Sequence, residues 1–251
     1  MERLAARIHR NMNTMQLSKE QIIRYKKHIS LSGIGLAGQV SIRQAKVLVV
    51  GAGGLGSPIC LYLAGAGVGT LACIDFDRVE IHNLHRQIAH TEKTIGMPKV
   101  YSLQKQIQQL NSDITFLPLQ EKVNADNIDS LVQDYDIIID GCDNFDTRYI
   151  VNDACQRQGK TLVYGSVLNY EIQLALFNHR GSKDLRAIFP DPPHPDDVPS
   201  CDLNGVLAST PGILALMMAQ ETLKVILGLP CLHNQWLIMD TLTWEIQKLH
   251  Y

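Results

Sequence analysis

Four short stretches concentrate the chemistry of this chain: Gly51-Ala52-Gly53-Gly54-Leu55-Gly56, Asp75-Phe76-Asp77, His85-Arg86-Gln87 with Lys99, and Asp143-Asn144. The apolar run Val47 to Val50 meets G-x-G-x-x-G and then an apolar helical segment, the strand, turn and helix that set a phosphate on a helix N-terminus. Gly51 lets the chain turn, Gly53 lets backbone approach a phosphate, and Gly56 allows close helix packing. Asp75 closes the next apolar run, Thr70 to Ile74, about twenty residues beyond the last glycine, where a carboxylate accepts hydrogen bonds from ribose hydroxyls. The glycine spacing leaves both a dinucleotide and ATP open. Two cations near one nucleotide site, Arg86 and Lys99, suit a triphosphate, and Pro98 fits the first turn of a helix carrying Lys99. The run Tyr135 to Asp140 ends in Gly141-Cys142-Asp143-Asn144, so Asp143 falls past the carboxyl end of a parallel strand, where open α/β sheets bind ligands.

The elements that must position these residues alternate. Ser18 caps an expected helix over Lys19 to Ile29. Strands are expected at Lys46 to Val50, Thr70 to Ile74, Ile114 to Leu119 and Ile137 to Asp140, with helices at Ser57 to Ala66, Lys99 to Leu110, Ala125 to Gln133 and Asp146 to Gln158. This order predicts an α/β fold, a Rossmann-like, mainly parallel sheet with flanking helices. Strands follow at Thr161 to Val167 and Ile172 to Phe177, then a long irregular stretch, 180 to 204, containing Phe189-Pro190-Asp191-Pro192-Pro193-His194-Pro195. A buried helix over Pro211 to Leu227 and two closing strands, Gln235 to Met239 and Thr243 to Leu249, complete the sequence, the last strands extending the sheet antiparallel. The expected organisation is an N-terminal helical segment, 1 to 30, and a single domain over 31 to 251.

A chain of 251 residues with 45% hydrophobic and 19% charged residues buries one large core. A net charge of −2 and a pI near 6.5 give no electrostatic reason to expect nucleic acid as a partner. Arg3, Arg7 and Arg10 are not followed by a continuous apolar block, and no segment reaches the length of a membrane span, so a cytoplasmic protein is expected. Cys60, Cys73, Cys142, Cys155, Cys201 and Cys231 show no close pairing, which predicts reduced thiols and no structural zinc. His82, His85, His90 and His194 lack ligand spacing for a metal.

Arg24-Tyr25 before Gly38-Gln39, the glycine turn, Asp75-Phe76-Asp77, Asn83-Leu84-His85-Arg86-Gln87, Gly96-Met97-Pro98-Lys99 and Asp143-Asn144 together resemble the ThiF/MoeB (HesA/MoeB/ThiF) family, prokaryotic relatives of the ubiquitin-activating enzymes, from about Gln21 onward. The resemblance implies an ATP- and magnesium-dependent adenylyltransferase. Its substrate would be the C-terminal glycine of a ubiquitin-like sulfur-carrier protein ending in Gly-Gly, with pyrophosphate released, for thiamine or molybdopterin biosynthesis. It places Gly51, Gly53, Gly54, Gly56, Asp75, Asp77, Asn83 and Asn144 around the nucleotide, with Asp75 on the ribose. Arg86, Gln87 and Lys99 fall to the triphosphate, and Asp143 to magnesium. A homodimer is implied, with Lys27, where the family often carries arginine, reaching the partner's ATP. Cys201 matches the place of a cysteine that engages the activated carrier or its sulfur in some relatives.

Family members commonly hold zinc on two cysteine pairs, one before the Phe-Pro loop and one near the C-terminus. Here the first pair would fall at Asp184 and Ala187, and the closing residues hold no Cys-x-x-Cys. Two other readings stand beside adenylation. One is an NAD-dependent oxidoreductase on the same turn, which a missing substrate domain disfavours. The other is a non-catalytic protein that binds carrier or nucleotide.

Overall fold

In the computed structural model, which describes residues 17–193 and 205–251, the helices in chain order are α1 (Lys19–Arg24), α2 (Lys26–Ile29), α3 (Gly35–Gln44), α4 (Gly56–Ala66), α5 (Lys99–Leu110), α6 (Ile128–Val132), α7 (Phe145–Gln158) and α8 (Ser209–Leu227). The strands are β1 (Lys46–Val50), β2 (Thr70–Ile74), β3 (Thr115–Leu119), β4 (Ile137–Asp140), β5 (Thr161–Leu168), β6 (Glu171–Phe177), β7 (Gln235–Asp240) and β8 (Ile246–His250). They form one eight-stranded sheet in the order β3-β2-β1-β4-β5-β6-β7-β8. Pairing is parallel from β3 to β5 and antiparallel from β5 to β8, which is the expected parallel sheet with an antiparallel C-terminal extension.

β1 is apolar at successive positions because both faces of the sheet are covered. Val47 and Val49 join a core with Ile42 of α3, Ile59 and Leu63 of α4, Leu103 of α5, and Leu214 and Met218 of α8. Leu48 and Val50 join a second core with Ile128 of α6, Tyr149 and Val151 of α7, Phe177 and Trp236. β1 lies between β2 and β4, so the order reverses there and a crevice opens at the carboxyl ends of β1 and β4. Val50 pairs with Asp140, which sets Gly51 and Gly141 side by side at that end of the sheet.

Several expected elements differ from the structure. The helix predicted over 19–29 breaks at Tyr25 (φ −97, ψ 15), whose buried ring lies over Gly67 while its hydroxyl accepts a 2.9 Å bond from Asn111 Nδ2. Helix α3 is not expected from sequence, because Gly35 and Gly38 lower its intrinsic propensity. Gly38 lets α3 sit close to α8, since a Cβ there would lie 2.9 Å from the side-chain methyls of Ile34 and Leu227, which would have to shift. The helix expected over 125–133 shortens to α6, as Asn124 Oδ1 accepts from the Asp126 and Asn127 amides and turns the chain first. The last strand starts at Ile246, after a turn in which Asp240 Oδ1 accepts from the Leu242 and Thr243 amides and Trp244 takes φ 65. Pro98 is the extended residue before α5 (φ −55, ψ 135), so Lys99 opens the helix. The irregular stretch from 180 contains a short 3₁₀ helix, Leu185–Ala187, while His194 and Cys201 lie outside the described residues. Among the described residues no helix is long and apolar enough to cross a membrane.

Candidate active site

The glycine turn is held from all sides. Gly51 adopts φ 94, and a Cβ there would meet the Gly141 carbonyl at 2.7 Å; a Cβ on Gly56 would strike the Gly51 carbonyl at 1.8 Å. Asp75, at the end of β2, accepts the Ala52 amide on Oδ2 and the Asp77 amide on Oδ1, both at 2.7 Å. The carboxylate therefore fixes the turn while keeping lone pairs for a further donor. The Ala52 carbonyl accepts from Nε2 of buried His90 at 2.9 Å, and His90 Nδ1 lies 2.9 Å from Ser102 Oγ of α5. From sequence, His90 is legible only as a histidine without metal-ligand spacing.

Gln87 and the stem of Arg86 lie beside this turn, and the Arg86 guanidinium donates to the His82 carbonyl at 3.2 Å. An ideal Cβ on Gly53 would lie 3.6 Å from Gln87 Nε2, and one on Gly54 would lie 3.6 Å from Arg86 Cγ and 3.4 Å from Pro211 of α8. Gln87 is buried with its Oε1 unpartnered among the described residues, and Ser57 Oγ beneath the turn is also unpartnered. Polar atoms of this kind are left able to bond a further polar group at the turn. Lys99 donates to Asp77 Oδ2 at 2.8 Å, and its backbone N–H donates to the Asp77 carbonyl at 2.9 Å. Asp77 thus faces the cation. Asn83 acts locally. Its Oδ1 accepts the Glu80 amide, and its carbonyl accepts the Arg86 and Gln87 amides, so it shapes the turn that presents both side chains.

Asp143 is exposed just beyond β4, at the same sheet end as the glycine turn. Asn144 is the N-cap of α7, its Oδ1 accepting the Thr147 amide at 2.9 Å, a structural duty beside the nucleotide contact the resemblance implies. The turn carrying Asp143 is anchored by Arg148, which has no motif to mark it in the sequence. Arg148 is buried, lies 3.0 Å from Asp140 Oδ2 through Nε, and donates to Tyr164 Oη and to the carbonyls of Cys142 and Gly165. Burial works against its charge, but Asp140 and its polar neighbours outweigh this and raise its pKa further. Its only sequence signal is an arginine on the inward stripe of α7. The Cys142 thiol donates to Asp140 Oδ1 at 2.7 Å, and burial raises its pKa well above the usual thiol range, so it is a packing residue.

Lys27 is exposed on α2, and Tyr25 two residues before it is seated at Gly67, the C-terminal end of α4. Eleven residues of helix, roughly 16 Å, separate that end from the glycine turn.

A sequence profile of the ThiF family matches residues 25–251. The chain belongs to the ThiF family. It is 46% identical over 213 residues to the adenylyltransferase and sulfurtransferase MOCS3 of Anopheles gambiae, covering 85% of this chain and 48% of the relative. It is also 39% identical over 241 residues to a sulfur carrier protein adenylyltransferase of Thermus thermophilus, covering 94% of this chain and 89% of that one. The chain spans about half the length of the MOCS3 relatives it matches. Among solved structures, E. coli MccB with ATP superposes with a TM-score of 0.79 at 20% identity, over 90% of this chain and 71% of that one, a likeness of fold.

In this ThiF-family chain the positions implied for a first cysteine pair have other work. Asp184 caps the 3₁₀ helix by accepting the Ala187 amide at 3.1 Å, and Asn152 donates to its other oxygen and accepts the Leu185 amide. Arg186 grips Asp153 with Nε and Nη2 at 2.7 and 2.9 Å, the Tyr149 hydroxyl lies within hydrogen-bond reach of the Phe189 and Asp191 carbonyls, and Phe189 packs edge-on to Trp236. Among the described residues no group of three or more His, Cys, Asp and Glu could hold a metal ion.

Proposed function

We propose that this chain uses ATP to adenylate the C-terminal carboxylate of a ubiquitin-like sulfur-carrier protein, with release of pyrophosphate. The observation that supports this reading is the approach of buried Gln87 and of Arg86 to a glycine turn tied to Asp75, with Lys99 held two residues beyond Asp75 by Asp77 and the exposed Asp143 at the same end of the sheet. A dinucleotide site does not need that cationic cluster. The names of the MOCS3 and Thermus relatives support the same reaction.

In this scheme Asp75 receives the ribose hydroxyls and the glycine turn receives the phosphates. A carboxylate oxygen of the carrier bonds to the α-phosphorus while the bond to the bridging oxygen breaks, and the electron pair leaves on pyrophosphate. The C-terminal carboxylate is already ionised near neutral pH, with a pKa of about 3.5, so no general base is required. Arg86 and Lys99 neutralise the charge that grows on the leaving group. Magnesium fits the donor set, because it takes one or two carboxylates together with substrate phosphates; Asp143 would hold it, and it would supply charge neutralisation at phosphate oxygens.

Lys27 acts from a second copy of the chain, completing the ATP site of a homodimer. Cys201 acts after adenylation, its thiolate sulfur bonding to the carrier carbonyl as AMP leaves. Unpaired thiols at Cys60, Cys73, Cys142, Cys155 and Cys231 suit a reducing, cytoplasmic setting, and the sulfur serves thiamine, molybdopterin or a related product.

Incubating the chain with ATP, magnesium and a panel of carriers ending in Gly-Gly tests the reading by mass spectrometry. An AMP adduct on one carrier is expected. ATP binding with no adduct on any carrier would favour a binding protein, and tight NADH binding without ATP binding would favour an oxidoreductase.

A further inference from the structure

His90 is fully enclosed, yet it touches two parts of the site at once. Its Nε2 meets the Ala52 carbonyl at 2.9 Å and its Nδ1 meets Ser102 Oγ at 2.9 Å. A carbonyl only accepts, so Nε2 carries the proton, and Nδ1 must then accept from the Ser102 hydroxyl. Ser102 stands three residues after Lys99 in α5, on the same helical face. The imidazole is a neutral strut between the glycine turn and the helix that bears the ammonium.

The bond to Ala52 has a consequence for the next amide. The Ala52–Gly53 peptide is trans and planar, so its C=O and its N–H point in opposite directions. Asp75 fixes the Ala52 N–H, His90 fixes the Ala52 carbonyl inward, and the Ser57 amide takes the Gly53 carbonyl at 3.0 Å. Gly53 N–H is thereby aimed away from the core, on the side where a phosphate would lie.

We propose that His90 is a positioning residue that orients the Gly53 N–H toward the phosphates of ATP and sets its distance from Lys99. The inference rests on the nucleotide reading of the glycine turn. His90 touches neither nucleotide nor carrier, and its effect falls mainly on the phosphate half of the ligand, since the Asp75 carboxylate is also held by the Asp77 amide.

The test compares ATP binding by calorimetry with adenosine binding by ligand-observed NMR, for the wild-type chain and for His90→Phe, His90→Gln and Ser102→Ala. His90→Phe is expected to weaken ATP about tenfold, the effect of one well-aligned donor, and to leave adenosine unchanged. His90→Gln, whose amide N–H can reach the Ala52 carbonyl, is expected to recover most of the ATP affinity. Ser102→Ala removes the hydroxyl that bonds Nδ1, loosening the ring that holds the Ala52 carbonyl, and is expected to weaken ATP by about threefold; it decides the matter if His90→Phe does not fold. Unchanged ATP affinity in both His90→Phe and Ser102→Ala overturns the proposal. An equal loss of ATP and adenosine affinity also overturns it, because that is general collapse of the pocket. A wild-type chain that binds adenosine and ATP equally well removes the phosphate site itself, and with it the reading beneath the proposal.

Discussion

The Lys99 ammonium is paired with the Asp77 carboxylate at 2.8 Å, and while the lysine is almost wholly buried, Asp77 is half exposed. The cation is held by a partner that opens to solvent, and under the proposed function an incoming phosphate would share it. Lys99→Ala is expected to lower pyrophosphate exchange by about 10²- to 10³-fold, the loss typical of a preorganised charged group. Asp77→Asn leaves a buried cation short of its partner and is expected to destabilise the nucleotide-free chain by on the order of 1 kcal/mol, a figure held down by the exposure of Asp77. ATP should then raise the melting temperature of Asp77→Asn more than that of wild type, because phosphate replaces the lost carboxylate. A thermal shift with ATP no larger than wild type's would contradict the shared-cation account.

Arg148 and Asp140 form a buried pair under the turn that carries Asp143. Arg148→Met strands Asp140 and frees the carbonyls of Cys142 and Gly165, a class of change that costs about 3–5 kcal/mol. At about 2–4 °C per kcal/mol for a chain of this size, the melting temperature should fall by roughly 10 °C. Calorimetric melting of the variant checks this, and a fall of a degree or two would mean the pair contributes little.

Burial lowers the pKa of His90 and of His179 below the ordinary 6.5. The unfolded chain therefore takes up protons first as pH falls, so stability is complete above about pH 6.5 and declines as pH drops toward the folded values. Asp153, held below the usual 3.8 by Arg186 against its partial burial, loses its contribution only in a more acid window. Urea unfolding at stepped pH should show the first decline, and His179→Gln should flatten part of it. A flat profile from pH 7 to 5 would show that these imidazoles protonate freely in the folded state.

The loop from Asp184 to Asp191 is pinned by Arg186, Asp153, Tyr149 and Trp236. Arg186→Ala should increase hydrogen exchange across 184–191 without loss of the sheet. Prolonged chelation should leave the melting temperature of the wild-type chain unchanged, because Asp184 is committed to the Ala187 amide and Ala187 has no ligand to give. A chelator-induced fall would reveal a metal that this hydrogen-bonded clamp does not replace.

What the sequence shows depends on how local its causes are. The glycine turn, α5 beginning at Lys99, and β4 ending at Asp140 are legible because proline, glycine and apolar period act within a few residues. The break at Tyr25 is not, since its cause is a seat formed by Gly67 and Asn111, far along the chain. The same holds within the site. Arg86, Gln87 and Lys99 can be read as a cluster from their types and the family resemblance, whereas Arg148 and His90 act through Asp140, Gly165, Ala52 and Ser102, contacts that only folding creates. Asn83 and Asn144 are legible as residue types, but their backbone-capping duties emerge only from the turns they close.

Carrier-dependent exchange of pyrophosphate into ATP, with Asp143→Ala as the control, tests the central claim most directly. The account predicts exchange with one Gly-Gly carrier in the presence of magnesium and its loss by about 10²-fold or more in the variant. Exchange that persists undiminished in Asp143→Ala, or that proceeds equally well without any carrier, would contradict it.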